Sequence, residues 1–121
     1  MKKILVVDDD TDILALVNMM LSMQKFNVES TSRWEDIDHC IRAFEPDLIL
    51  LDISLVGADG RDICKRIKEA KRTQHIPVVL FSANPQLGAS YREYNAEAFI
   101  EKPFNLAELV RVINGSIARA N

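Results

Sequence analysis

The chain has 121 residues and a formal net charge of -3; 48% of its residues are hydrophobic and 27% are charged. This length and composition favour a single globular domain over residues 1–121 with a sizeable core. The acidic balance argues against nucleic acid as a direct partner, and no apolar run is long enough to span a bilayer. The apolar start leads into acidic residues where a signal peptide would have its cleavage site, so we expect a cytoplasmic protein.

Short, apolar, β-branched segments predict five strands along the chain. In chain order these segments are 3–7, 27–31, 47–51, 76–81 and 97–100. Four segments with apolar residues at helical spacing lie between or after them: 13–21, 34–44, 63–70 and 106–117. Strands that alternate with helices in this way predict a parallel sheet with helices on both faces. The runs DLILL and IPVVLF are almost entirely apolar, which indicates strands that are buried on both sides.

Side chains suited to capping precede four of the predicted helices. These candidates are Asp10 or Thr11, Ser32 with Glu35, Asp59, and Asn105 with Glu108. Residues 83–96 carry a poorer helical pattern, because Gly88 interrupts a helix that Pro85 could start. We expect a short helix there, with Asn95 in the left-handed conformation at the end of the segment.

The two cysteines and two histidines show no pattern of a redox or metal site. Cys40 and Cys64 are too far apart for a CxxC motif and too few for a disulfide framework. Both fall on the apolar sides of predicted helices, so we expect them to pack in the core. His39 and His75 have no partner residue at metal-ligand spacing, which indicates surface or half-buried side chains.

Polar residues follow four of the predicted strands. They are Asp8, Asp9 and Asp10, then Asp52, then Ser82, and finally Glu101, Lys102 and Pro103. Ligands of an open parallel α/β sheet bind outside the carboxyl ends of its strands. If these strands are neighbours, several carboxylates, a hydroxyl and an ammonium share one edge. Two like charges about 4 Å apart cost roughly 4 kcal/mol at an effective dielectric near 20, so something must compensate.

This set of groups has a chemical use. Clustered carboxylates bind a hard cation such as Mg²⁺, which keeps several waters and accepts a phosphate oxygen. Lys102 would add a positive charge for a phosphoryl oxygen, and the Asp52 carboxylate can act as a nucleophile that forms an aspartyl-phosphate. Taken singly, Asp10 fits a helix cap, Asp52 a turn and Lys102 a solvated side chain. Their joint arrangement points to phosphoryl transfer.

Four stretches carry a family resemblance: ILVVDDD, LILLDISLVGADG, VLFSA and AFIEKPF, in this order. With them the chain resembles the receiver domain of two-component response regulators over almost its whole length. The resemblance implies a flavodoxin-like (βα)5 fold, a doubly wound parallel five-stranded sheet of order 2-1-3-4-5 with helices on both faces. It also implies a phosphoacceptor signalling domain that catalyses only its own Mg²⁺-dependent phosphorylation and dephosphorylation, and not a metabolic enzyme.

The resemblance implies roles for individual residues. Asp52 matches the phosphoacceptor, Lys102 the invariant lysine, and Ser82 the hydroxyl that turns toward the phosphoryl group. Phe99 matches the aromatic residue that moves inward on activation, while Asp10 matches no functional position. The implied ligands of Mg²⁺, or of Mn²⁺ in its place, are Asp9, Asp52, the backbone carbonyl of Ser54 and, through water, Asp8. The remaining implied features are a cis bond before Pro103 and tuning of the acyl-phosphate lifetime by Ser54 and Asn84.

The implied phosphoryl donor is a sensor histidine kinase or a phosphotransfer protein. The implied partners after phosphorylation are an unidentified downstream protein or output domain, and a second copy of the chain in a phosphorylation-dependent homodimer. The sequence departs from the family at Val56, where proline is usual, and at Asn95, where glycine is usual. The short segment 83–96 is a third departure, in the helix that contributes to the family's output face.

Three alternatives to this function stay open at this point. An aspartate-nucleophile phosphatase also places a carboxylate at a strand end, but the position of its usual second aspartate is Ser54 here. An interaction module that works without phosphorylation would not need the acidic pair, the hydroxyl and the lysine. A flavin-binding protein on a related sheet would need a phosphate-cradling loop where residues 8–10 are acidic.

Overall fold

A computed structural model describes residues 1–120, which contain a five-stranded parallel sheet. Its strands are β1 Lys3–Val7, β2 Asn27–Thr31, β3 Leu48–Asp52, β4 Val78–Ser82 and β5 Ala98–Glu101. The helices are α1 Thr11–Met23, α2 Ile37–Phe44, α3 Gly60–Glu69, α4 Pro85–Gly88 and α5 Leu106–Ala120. The strand order β2-β1-β3-β4-β5 confirms the predicted topology.

The register of the sheet aligns the carboxyl ends of its strands. Val7 at the end of β1 pairs with Thr31 of β2 and with Leu51 of β3. Farther along the sheet, Asp52 pairs with Phe81 of β4. The chain order reverses at β1 and β3, and in doubly wound sheets ligands bind at this reversal point. The fold therefore opens its crevice beside the ends of β1 and β3.

Alternate residues of the central strands form two cores, one on each face of the sheet. Leu5, Ile49 and Leu80 point to the layer that contains α2 and α3. Ile4 and Leu50 point to the layer that contains α1 and α5. Burial of each such side chain contributes about 1.5–3 kcal/mol relative to exposure. These two cores hold the strand ends in fixed positions, which is what the site requires.

Three of the predicted helix caps are confirmed and one is wrong. Asp10 caps α1, Asp59 caps α3, and the side-chain oxygen of Asn105 accepts the Glu108 N–H at 2.8 Å. The predicted cap formed by Ser32 with Glu35 is wrong, because a 3-10 turn at Trp34–Asp36 precedes α2 and no side chain caps that turn. The Thr31 hydroxyl instead accepts the Arg33 N–H at 3.1 Å, a local bond that competes with regular helix capping.

The segment after β4 contains a short helix, as predicted. Helix α4 has only four residues, and a 3-10 turn follows it at Tyr91–Tyr94. Asn95 ends this turn with φ 64°, in the left-handed region that asparagine tolerates. The predicted strand over 76–81 begins two residues later than expected, since Pro77 has no N–H to donate to a ladder.

The cysteines lie where the pattern places them. Cys64 is fully buried and Cys40 is half-buried, and both thiols are free. Burial raises the pKa of the Cys64 thiol to about 12, so this thiol is neutral at physiological pH. Within residues 1–120, none of the helices has both the length and the apolar character needed to cross a membrane.

Candidate functional site

Three carboxylates meet at the carboxyl ends of β1 and β3. Asp8 and Asp9 follow β1 directly, and Asp52 is the last residue of β3. One ligand oxygen from each lies within 4.8 Å of the other two. The side chains of Asp8 and Asp52 are buried, with residue exposures of 1% and 4%, while Asp9 is half-buried. Such an oxygen cluster suits a hard divalent cation.

Lys102 follows β5, the edge strand of the sheet, and its side chain reaches this cluster. Its Nζ lies 2.8 Å from Oδ2 of Asp8 and 3.6 Å from Oδ1 of Asp52. Its backbone N–H donates to the carbonyl of Ser82 at 2.9 Å, which ties the residue after β5 to the end of β4. The peptide bond from Lys102 to Pro103 is cis. The structure thus brings the lysine and the acids together, as their positions at the strand ends predict.

The environment of Asp52 disfavours its charge in the absence of a cation. Burial is the main cause, and the neighbouring charge of Asp8 adds to it; together they raise the pKa of Asp52 to about 6. The Lys102 ammonium and the backbone N–H of Ser54 act in the opposite direction. At neutral pH most Asp52 side chains are therefore ionised, which is the form that acts as a nucleophile.

Backbone N–H groups hold the acidic side chains in place. Asp10 donates its N–H to Oδ1 of Asp8 at 2.8 Å, and Val56 donates its N–H to Oδ2 of Asp9 at 2.6 Å. The side chain of Asp10 points elsewhere, since it accepts the N–H groups of Asp12 and Ile13 as the cap of α1. Asp10 is therefore a capping residue, as predicted, and the cluster consists of the other three acids.

Ser82 and Phe99 occupy the strands beyond Asp52. Ser82 is 1% exposed at the end of β4, and its Oγ accepts the Asn84 N–H at 3.0 Å. Phe99 in β5 is half-buried, and its ring packs, as Leu87 does, against the core layer that contains α2 and α3. The tip of this ring lies directly over the backbone of Gly88, so that a Cβ added there would fall on the ring. The aromatic ring therefore fills space that Gly88 leaves open.

The remaining predicted residues lie at the margin of the cluster. Ser54 begins a short hairpin, in which Ser54–Leu55 pairs with Ala58–Asp59, and its side chain is exposed. Asn84 is also exposed, and its side-chain oxygen accepts the N–H groups of Gln86 and Leu87 as the cap of α4. Asn84 therefore has a structural task that sequence reasoning missed, although an asparagine directly before a proline signals such a helix start.

Two other contacts at the site were not predicted. The Lys102 ammonium lies 4.6 Å from the centroid of the Phe81 ring, a cation–π geometry. The indole N–H of Trp34 donates to the carbonyl of Val56 at 3.0 Å. Neither contact has a signal in the sequence, because both join segments that are distant along the chain.

A concavity of about 760 Å³ lies at the opposite, amino-terminal end of the strands. Its lining includes Lys2, Asp47, His75 and Pro77 and excludes all three clustered acids. Its size does not make it the functional site. The buried carboxylates and the paired ammonium concentrate the chemistry at the other end of the sheet.

Comparisons with known proteins identify the family of this chain. A family model described as the response regulator receiver domain matches residues 4–114. The chain belongs to this family. It is therefore a receiver domain of two-component signalling systems, a class of signalling domain and not of metabolic enzymes.

Individual relatives are similar over the whole chain. The DNA-binding dual master transcriptional regulator RpaA of Synechocystis sp. is 29% identical over 123 residues, which cover 100% of this chain and 51% of that protein. The chain spans about half the length of the curated relatives it matches.

Solved structures share the fold. The receiver domain of NtrX from Brucella abortus is 33% identical, covers 95% of this chain and 98% of that chain, and has a TM-score of 0.86. A CheY-like receiver domain protein from Methanospirillum hungatei JF-1 is 24% identical, covers 99% of this chain and 96% of that chain, and has a TM-score of 0.87. The second likeness concerns the fold alone, which is the predicted flavodoxin-like arrangement.

Proposed function

We propose that Asp52 accepts a phosphoryl group and that the resulting change at the strand ends is the signal. The observation that carries this proposal is the position of the Lys102 Nζ, at 2.8 Å from buried Asp8 and 3.6 Å from buried Asp52. A structural ion pair needs one acid for one base. Here a second buried acid and the neighbouring Asp9 share the one ammonium, and this excess of negative charge suits a site that binds a further cation.

A divalent cation would supply that charge. Asp9, Asp52 and the Ser54 carbonyl would hold it directly, and Asp8 would hold it through water. An all-oxygen donor set suits Mg²⁺, with Mn²⁺ as a substitute. When bound, the ion neutralises charge on the phosphoryl oxygens.

The proposed donor is a phosphohistidine on a sensor histidine kinase or a phosphotransfer protein. A carboxylate oxygen of Asp52 attacks the phosphorus while the phosphorus–nitrogen bond breaks, and the electron pair of that bond stays on the imidazole nitrogen. Lys102 offers its ammonium to a phosphoryl oxygen. Because the pKa of Asp52 is about 6, the attacking carboxylate is available at neutral pH.

The proposed response passes through two residues. The Ser82 hydroxyl turns toward a phosphoryl oxygen, Phe99 moves into the space that this opens, and a minor conformation becomes the major one. Water then hydrolyses the acyl phosphate on a path flanked by Ser54 and Asn84, which tune its lifetime.

The wider setting is also proposed. We place residues 1–121 in one receiver domain that works in the cytoplasm, with an unidentified downstream protein or output domain as its target. A phosphorylation-dependent homodimer is one form that the output could take. The curated relatives are named as transcriptional regulators, so an output domain that acts on transcription is the first to test.

The experiment is incubation with acetyl phosphate and Mg²⁺, followed by intact-mass measurement. We expect one added phosphoryl group on the wild type and none on the Asp52→Asn variant. The matched control is Asp10→Asn, which keeps a capping side chain next to the cluster and should accept phosphate normally. An unmodified wild type, or an equal adduct on Asp52→Asn, would overturn the proposal. Turnover of many equivalents of p-nitrophenyl phosphate would favour a phosphatase instead.

A further inference from the structure

Three segments meet at Asp9 through two hydrogen bonds in series. The indole N–H of Trp34, in the turn before α2, donates to the carbonyl of Val56 at 3.0 Å. The backbone N–H of Val56, in the hairpin after β3, donates in turn to Oδ2 of Asp9 at 2.6 Å. The second bond is short, as expected when the acceptor is a carboxylate. The end of β1 is thereby tied to the loop that follows Asp52.

The hairpin turn that presents this N–H has a defined geometry. Val56 and Gly57 connect the paired ends Leu55 and Ala58. Gly57 has φ +83°, whereas Val56 has a negative φ. These signs of φ match those of a type II turn, which accepts proline at its first central position. Proline has no backbone N–H, so a proline in place of Val56 could not bind Asp9.

The Val56 side chain itself does not explain the contact. It is 79% exposed, and what reaches Asp9 is the backbone alone. Trp34 is half-buried, and it packs against the core layer that contains α2 and α3. Core packing therefore holds Trp34 in place, Trp34 positions the backbone of Val56, and the Val56 N–H in turn positions the carboxylate of Asp9.

We propose that the Val56 N–H, fixed by the Trp34 indole, is a positioning group that orients Asp9 for the divalent cation; this rests on the proposed function. An oxygen that accepts one hydrogen bond keeps a lone pair, and the second oxygen of Asp9 stays free. The bond can therefore persist when an ion is present. It also sets the separation between Asp9 and the hairpin that carries the Ser54 carbonyl. Outer partners that orient ligand carboxylates typically change metal affinity about 10- to 100-fold.

The test compares the Mg²⁺ dissociation constants of three variants with that of the wild type, by isothermal titration calorimetry. Val56→Pro removes the N–H within a turn that tolerates proline, and we expect a dissociation constant about tenfold higher. Val56→Ala removes the exposed side chain but keeps the N–H, and should match the wild type. Trp34→Phe keeps an aromatic ring but loses the indole N–H, and should weaken Mg²⁺ binding by a smaller factor than Val56→Pro does.

The outcomes separate this inference from the proposed function. A wild type that binds no Mg²⁺ and takes no phosphate would overturn both. A wild type that binds, with Val56→Pro binding equally well or more tightly, would overturn the positioning role alone. A Val56→Ala variant as weak as Val56→Pro would do the same, since the side chain and not the N–H would then matter. If urea denaturation shows that Val56→Pro is unfolded, unchanged binding by Trp34→Phe overturns the role and weakened binding supports it.

Discussion

The burial of Asp52 next to Asp8 gives the site a stability cost that depends on pH. Burial and the neighbouring acid raise the pKa of Asp52 from 3.8 to about 6. Between these values the folded chain binds more protons than the unfolded chain, so this residue makes the protein less stable as pH rises. Above the folded-state pKa, Asp52 is ionised in both the folded and the unfolded chain, and the loss of stability has its full size.

Removing the charge of Asp52 should therefore stabilise the protein at high pH. In metal-free buffer near pH 8, we expect Asp52→Asn to raise the free energy of unfolding by about 1–3 kcal/mol. Near pH 4 the gain should shrink, because Asp52 is then largely neutral in the folded chain. Urea denaturation at the two pH values measures the difference. An equal gain at both would contradict the charge explanation.

Lys102 should contribute to stability as well as to chemistry. Its ammonium is the cation paired with two buried carboxylates, and the Lys102 side chain is 19% exposed. We expect Lys102→Met to lower the free energy of unfolding at neutral pH by about 2–4 kcal/mol, because it leaves buried charges unpaired. Urea denaturation checks this, with Lys65→Met on the exposed side of α3 as the control. If Lys102→Met cost no more than the control, the pairing would be unimportant for stability.

At the scale of elements, the short α4 segment depends on side chains from α3. Arg61 donates to Ser90 at 3.0 Å and to Asp59 at 2.7 Å, and its guanidinium lies 5.2 Å from the Tyr94 ring centroid. Its hydrogen bonds hold the pKa of Asp59 below the usual value. A planar guanidinium can make these contacts at the same time. Arg61 therefore fastens the segment 85–94, which has too few helical turns to be stable alone.

The contact between α4 and β5 should make Gly88 hard to replace. A methyl group at Gly88 would fall on the Phe99 ring, so we expect Gly88→Ala to destabilise the protein by about 1–3 kcal/mol. The control is Gly115→Ala in α5, where the nearest atom is the flexible end of Arg119 at 3.4 Å. That substitution should stabilise by up to about 1 kcal/mol, as alanine does in helices. Thermal denaturation of both variants tests the contrast, which a stabilising Gly88→Ala would refute.

At the scale of the whole molecule, the crevice at the strand ends makes stability depend on divalent ions. A ligand that binds only the folded chain stabilises it by about 1.4 kcal/mol at ten times its dissociation constant. We expect Mg²⁺ to raise the melting temperature of the wild type, and to raise that of Asp9→Asn much less. Sodium chloride at equal ionic strength controls for screening. Equal melting temperatures with and without Mg²⁺ would argue against a cation at the acidic cluster.

Much of the architecture was readable from apolar patterning. The predicted bounds of β1 and β2 are confirmed, and β3 and β5 are shifted by one residue. The wrong cap at Ser32 shows the limit of local rules, since the Thr31 hydroxyl binds the Arg33 N–H and a 3-10 turn without a side-chain cap follows. Strand ends and caps depend on such local competition, which a pattern of apolar residues does not contain.

The candidate site was predictable to a similar degree. The rule that ligands bind at the carboxyl ends of parallel strands predicts that Asp8, Asp52 and Lys102 lie close together. It could not reveal the bond from Val56 to Asp9, because a backbone N–H carries no residue-specific signal. It also could not reveal that the Phe99 ring rests on Gly88, since packing depends on how two elements approach each other.

The sequence by itself determined the alternation of strands and helices, the two-sided burial of the sheet and the residues at its strand ends. These follow from periodicity and from the chemistry of side chains, which are local properties of the chain. The tertiary structure decided the distances: how close Lys102 comes to each acid, and which donor Asp9 accepts. Such contacts join residues far apart in the chain, and only the packing of both cores against the sheet sets their geometry.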